Sequence, residues 1–162
     1  DFPALDLYSK YLGNKANQLP QAALLYPLNI KEEGKEHNLV RTILNIDVKN
    51  KSMILAGDVP EGSHAQLMMA TVDGIAEGAS TAAAMALRKH AKPPQLALLV
   101  SCIGRKLVMD QRVEEEIEEV SEILGKQAAI AGFYSYGEIA PFFTSNECNL
   151  HNQTMTLTLI SE

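Results

Sequence analysis

The run over residues 95–103 constrains this chain more than any other stretch. Leu96-Ala97-Leu98-Leu99-Val100 continues past Ser101 to Cys102 and Ile103, with Pro93-Pro94 before it and Gly104 after it. A short, charge-free apolar run between such breakers reads as a central strand covered on both faces. It falls far short of the roughly 20 residues needed to cross a bilayer. The rest of the chain has to pair with this strand and cover it.

The flanking segments carry the signals for both. Residues 4–12 read as a short helix, with Leu5, Tyr8 and Leu12 on one face and Gly13 as its stop. Pro27 lies inside an apolar run over 22–30, and proline cannot donate to a ladder, so that strand is expected at an edge or broken. Residues 39–48 and 52–59 form a hairpin about Lys49-Asn50-Lys51, and residues 65–70 add a third strand, an antiparallel meander. Over 71–90, Val72, Ile75, Ala79, Ala82, Ala83 and Ala86 recur at helical spacing. Its alanines, with Gly74 and Gly78, leave a face small enough to pack tightly on a sheet, although each glycine costs about 1 kcal/mol against Ala.

Asp110 as N-cap and Gly125 as stop bracket a helix over 110–124, with Val113, Ile117, Val120 and Leu124 as its inward stripe. Strands are expected over 128–139, with Gly132 and Gly137 inside, and over 153–160, where Met155, Leu157 and Leu159 alternate with threonines. The fold class is α+β: a mixed, largely antiparallel sheet of about seven strands with about three helices packed on it. A length of 162 residues fits a single domain.

Charge narrows the function classes. The chain carries a net charge of −6, and residues 110–122 hold seven acidic side chains against Arg112 alone. Nucleic acid and anionic membrane both require a basic face, so neither is an expected partner. The acidic helix reads as a solvated outer face. Cys102 and Cys148 are too few for a disulfide framework, which with the absence of a signal pattern points to a reduced, cytoplasmic protein. The chain opens on Asp1-Phe2-Pro3 rather than Met, and so reads as a piece of a longer protein.

Nucleotide-binding, zinc-protease and paired-cysteine motifs are missing from the sequence, and His37, His64, His90 and His151 have no metal-ligand spacing. No cofactor and no metal are expected. Polar groups instead gather where strands end. Gly104 releases Arg105 at the mouth of the buried strand. Gly137 precedes Glu138, and a polar run of Asn146, Asn149, His151, Asn152, Gln153 and Thr154 enters the last strand. An arginine can fork onto a carboxylate while a glutamate accepts from an ammonium, so Arg105 and Glu138, with amides beside them, could share one concavity for a small zwitterion. The competing reading has Cys102 as the nucleophile of a hydrolase-like enzyme, His151 as base and Glu138 as orienter. A third is a structural or protein-docking half-domain.

The segments Ser101-Cys102-Ile103-Gly104-Arg105 and Ala131-Gly132-Phe133-Tyr134-Ser135-Tyr136-Gly137-Glu138-Ile139-Ala140-Pro141, with the Glu-rich helix between them, resemble the C-terminal half of the FIST sensory domain. His151-Asn152-Gln153-Thr154-Met155 resembles that family's terminal strand, and Val40-Arg41-Thr42-Ile43-Leu44 and Ala56-Gly57-Asp58-Val59-Pro60 also fit it. The resemblance implies an intracellular, non-catalytic sensor of a small molecule such as an amino acid. It implies an N-terminal FIST half and a signalling output as partners. From the matched motifs Arg41, Cys102 and Tyr136 join Arg105, Glu138, His151, Asn152 and Gln153 as candidate ligand contacts.

Overall fold

A computed structural model of the chain describes residues 2–88, 90–142 and 147–162. Asn146 of the polar run lies outside the described residues. The elements are α and β in irregular order, an α+β fold whose sheets are mostly antiparallel. The contacts divide it into two compact units, Asp1–Ala70 and Thr71–Glu162, where the sequence reading has one domain.

In the first unit, α1 (Ala4–Leu12) buries Leu5, Tyr8 and Leu12 and ends at Gly13, whose φ of 57° suits glycine. The 22–30 run breaks, as one of the two expectations had it. A 3-10 turn over Gln21–Leu25 precedes β1 (Leu28–Lys31), so Pro27 sits just ahead of the strand. β1 is nonetheless central, between β2 (Leu39–Arg41) and the later β5 (His64–Leu67), both antiparallel to it. Proline's lack of an N–H costs nothing there, and the Pro27 carbonyl accepts from the Met68 N–H at 2.9 Å.

β3 (Ile43–Asp47) and β4 (Ser52–Leu55) make the expected hairpin. The meander is a correction, because β5 pairs with β1 rather than with β4. Tyr8, Leu12, Ala23 and Ile43 form this unit's core.

The second unit is built on β6 (Leu96–Cys102), which forms within the apolar run over 95–103. It is central to a three-stranded sheet, parallel to β7 (Ala129–Ser135) and antiparallel to β10 (Met155–Ile160). Strand alternation sends Ala97, Leu99 and Ser101 to one face. On it Ala97 and Leu99 pack with Ala79 and Ala83 of α2 (Val72–Arg88), Val120 and Leu124 of α4 (Val113–Leu124), and Met155. The small-residue face of α2 is therefore core. The opposite face is not covered as expected: Leu98 is 38% exposed and Phe133 61%. Alternation explains this, because only one face of the three strands meets the helices.

Three further corrections concern the links. A seven-residue helix, α3 (Ile103–Met109), follows β6 directly, so Arg105 sits in a helical turn rather than a loop. The strand expected over 128–139 divides at Tyr136-Gly137 into β7 and β8 (Glu138–Pro141), and β8 pairs with a further strand, β9 (Cys148–His151), formed within the expected polar run. Asp110 does not cap α4. It closes α3 at a φ of 50°, and Arg112 holds the N-cap position of α4.

The stripe on α4 is also rolled. Val120 and Leu124 are buried as expected, but Ile117 is 39% exposed and Glu116 is 0% exposed. Val113, Glu116, Val120 and Leu124 satisfy helical spacing as well as the expected set does. What selects the Glu116 side is the polar environment waiting for its carboxylate.

Candidate functional site

β6 ends in two consecutive residues, Ser101 and Cys102, whose side chains leave on opposite faces of the sheet. In the β6–β7 register they stand beside Tyr134 and Ser135 respectively. Each face thus receives a pair of polar side chains, and each pair holds one buried carboxylate.

On the helix-covered face that carboxylate is Glu116. It accepts from the Ser101 hydroxyl at 3.2 Å, from the Tyr134 hydroxyl at 2.8 Å and from Arg105 Nε at 2.9 Å. The Arg105 and Glu116 side chains are 5% and 0% exposed, and Arg105 Nη2 also donates to the Ile75 carbonyl at 2.8 Å. A Cβ added at Gly78 would lie 3.5 Å from Arg105 Nη1, so the bare face of α2 leaves room for the guanidinium. Burial, then the Glu116 hydrogen bond and charge, push the Tyr134 hydroxyl well above the usual tyrosine range.

On the other face the carboxylate is Glu138, itself 2% exposed. It accepts from the Ser135 hydroxyl at 2.7 Å and the Thr154 hydroxyl at 2.8 Å. Among the described residues no Lys, Arg or His nitrogen forms an ion pair with it. Cys102 adjoins it: burial pushes the thiol up, the Glu138 charge pushes it the same way, and the backbone N–H groups of Gly104 and Gln153 oppose this without prevailing.

His151 is the register partner of Glu138 in the β8–β9 hairpin. Its Nε2 lies 2.9 Å from the Ala140 carbonyl, and its ring meets Phe142 edge-on at 4.8 Å. Asn152, 1% exposed, donates to the His151 carbonyl, and Gln153 takes the left-handed region at φ 54° where the chain turns into β10. Phe142 also walls a cleft of about 260 Å³ with Met85 of α2 and Met155 and Leu157 of β10.

Of the eight residues singled out from sequence, the structure gathers Cys102, Glu138, His151, Asn152 and Gln153 at this end of the sheet. Tyr136 stands on the turn beside them, 90% exposed. Arg105 is corrected: its partners lie on the face opposite Glu138, so the two do not share one concavity. Arg41 belongs to the first unit, where it is buried, with Nε on the Asp58 carbonyl at 2.9 Å and Gly57 against its guanidinium. That unit carries a cavity of its own, about 540 Å³, lined by Leu7, Tyr8, Tyr11, Leu28, Met53 and Leu67 among others, and Arg41 is not part of its wall.

Sequence reasoning missed Glu116, Ser101 and Tyr134 on one face and Ser135 on the other, and it named Thr154 only as the end of the polar run. Glu116 hid within a run of glutamates. Its one signal was the spacing it shares with Val113, Val120 and Leu124.

The second unit thus carries two buried carboxylates at its strand ends, Glu116 and Glu138, and among the described residues no group of His, Cys, Asp or Glu could hold a metal. The comparisons define the family: the FIST C domain model matches residues 4–141, and the chain belongs to that family of sensory-type domains. His151 and the β10 strand, which resemble the family's ending, lie beyond the matched range. No curated protein and no solved structure matches the chain. No helix among the described residues is long and apolar enough to cross a membrane.

Proposed function

We propose that this chain is the ligand-binding part of a cytoplasmic signal-transduction protein, sensing a small molecule such as an amino acid through the Glu138 end of its second unit. One observation carries the reading: a carboxylate 2% exposed, held by two neutral hydroxyls and a thiol, with no cation paired to it among the described residues. A buried carboxylate without a counter-charge favours any ligand that brings an ammonium. His151, Asn152 and Gln153 are the neighbouring polar residues, and Tyr136, on the adjoining turn, is 90% exposed. Partners on this reading are an N-terminal FIST half and a signalling output.

The same geometry weighs against Cys102 as a nucleophile. Burial and an adjacent anion hold the thiol protonated, whereas nucleophilic cysteines sit in electropositive surroundings. Calorimetric titration with each of the standard amino acids tests the proposal. Heat from at least one, abolished in Glu138→Gln and retained in Arg112→Gln, is the expected result. Equal binding by the wild type and Glu138→Gln would remove Glu138 from the site, and no binding to any would end the amino-acid reading.

A further inference from the structure

We propose that two copies of this chain pair through β7, joining their β10–β6–β7 sheets edge to edge about a two-fold axis at Gly132. β7 is the edge strand of its sheet, and among the described residues its only strand partner is β6. Its seven residues, Ala129 to Ser135, include no charge and no proline. Those are the devices by which edge strands are normally guarded against pairing with another chain.

Backbone parity fixes how a second strand can add. Ala129 donates its N–H to the Gln95 carbonyl at 2.8 Å, which turns the odd-numbered residues of β7 toward β6. The N–H and C=O of Ile130, Gly132 and Tyr134 therefore point away from the sheet. An antiparallel copy must bring its own outward-pointing residues opposite these. Full overlap of the strand is reached with Gly132 facing Gly132 of the second copy and Ile130 facing Tyr134. That register makes about six new backbone hydrogen bonds.

The side chains agree with the register. It places Phe133, 61% exposed on the open face, opposite Ala131 of the second copy, a non-hydrogen-bonded position where side chains approach closely. A large ring meets a methyl twice, once on each side of the axis. Gly132, also exposed, puts no side chain on the axis itself. The occupant is thus a second copy, because the strand complements itself in backbone parity, in size and in lack of charge. This inference does not depend on the ligand reading.

Sedimentation velocity of the chain over a micromolar concentration series tests it. The wild type is expected to form a dimer at tens of micromolar. Phe133→Glu and Ala131→Lys, both at exposed positions, should each weaken it by about tenfold or more. An equimolar mixture of the two variants should recover a dimer, since the new ammonium of one copy faces the new carboxylate of the other. A wild type that stays monomeric, a dimer that neither change weakens, or a mixture no tighter than either variant alone would overturn the proposal. Should a variant lose its fold by far-ultraviolet dichroism, hydrogen exchange of the wild type decides. The Ile130, Gly132 and Tyr134 amides must exchange more slowly at dimer-forming concentration than at high dilution, and unchanged rates would overturn it.

Discussion

Arg105 Nε lies 2.9 Å from a Glu116 carboxylate oxygen, and neither side chain has meaningful contact with solvent. The pair ties α3 to α4 at the end of β6. Ser101 and Tyr134 complete the carboxylate's hydrogen bonds from the strands beneath. Such a pair does not by itself add much stability over an apolar substitute, but breaking it is costly.

Glu116→Ala should therefore lose about 3–5 kcal/mol in urea unfolding, because it strands the Arg105 charge in the core. Glu118→Ala, on the solvent side of the same helix, should lose far less. Replacing both partners, Arg105→Met with Glu116→Leu, should recover most of the loss. Equal losses for Glu116→Ala and Glu118→Ala would mean that the buried pair is not formed.

The rolled face of α4 makes a second comparison. Val120→Ala removes two methyls from a fully buried position and should cost about 2 kcal/mol or more. Ile117→Ala, at a position 39% exposed, should cost under about 1 kcal/mol. The reverse order in denaturant melts would restore the stripe read from sequence.

The two thiols should separate in reactivity. Cys148 is exposed and Cys102 buried, both free. In the native protein iodoacetamide should label Cys148 quickly and Cys102 only after unfolding, because burial and Glu138 disfavour the Cys102 thiolate. Fast native labelling of Cys102, read by peptide mass, would contradict its placement.

Stability should fall in alkali. Burial, then the Tyr26 charge, raise the Tyr8 hydroxyl from 10.0 to about 12, and Tyr134 is raised as well. A group with a raised folded value stabilises the fold fully below its unfolded value, and loses that contribution as pH climbs through the folded one. The urea midpoint should thus decline from about pH 10 to about pH 12, with Cys102 adding to the fall from nearer pH 9. Tyr8→Phe should flatten the curve, at the expense of the 2.7 Å bond to the Tyr26 carbonyl. A midpoint constant across this range would refute the burial of these hydroxyls.

Much of this architecture was legible in residue order. Local physics sets helix α1, with Leu5, Tyr8 and Leu12 inward and Gly13 as stop. It also sets the β3–β4 hairpin, the length of α2 and the alternation of β10. Periodicity, stop signals and turn chemistry act over a few residues, and no tertiary partner overrode them. The apolar run over 95–103 likewise declares a central strand by its own composition. The family motifs in β6, β7 and β8 were legible for the same reason, since each is contiguous.

Pairing and burial of charge were not legible, because they depend on what arrives from far along the chain. Whether β5 joins β4 or β1, and whether one or both faces of β6 are covered, is settled by packing between segments tens of residues apart. Glu116 is indistinguishable from its neighbours in sequence. It is buried only because Arg105, Ser101 and Tyr134 converge on it from three other elements and repay its desolvation. That convergence also took Arg105 away from Glu138. The residue order named both charges, but only tertiary structure, through the two-residue alternation that sends Ser101 and Cys102 to opposite faces, decided that they would serve different carboxylate sites.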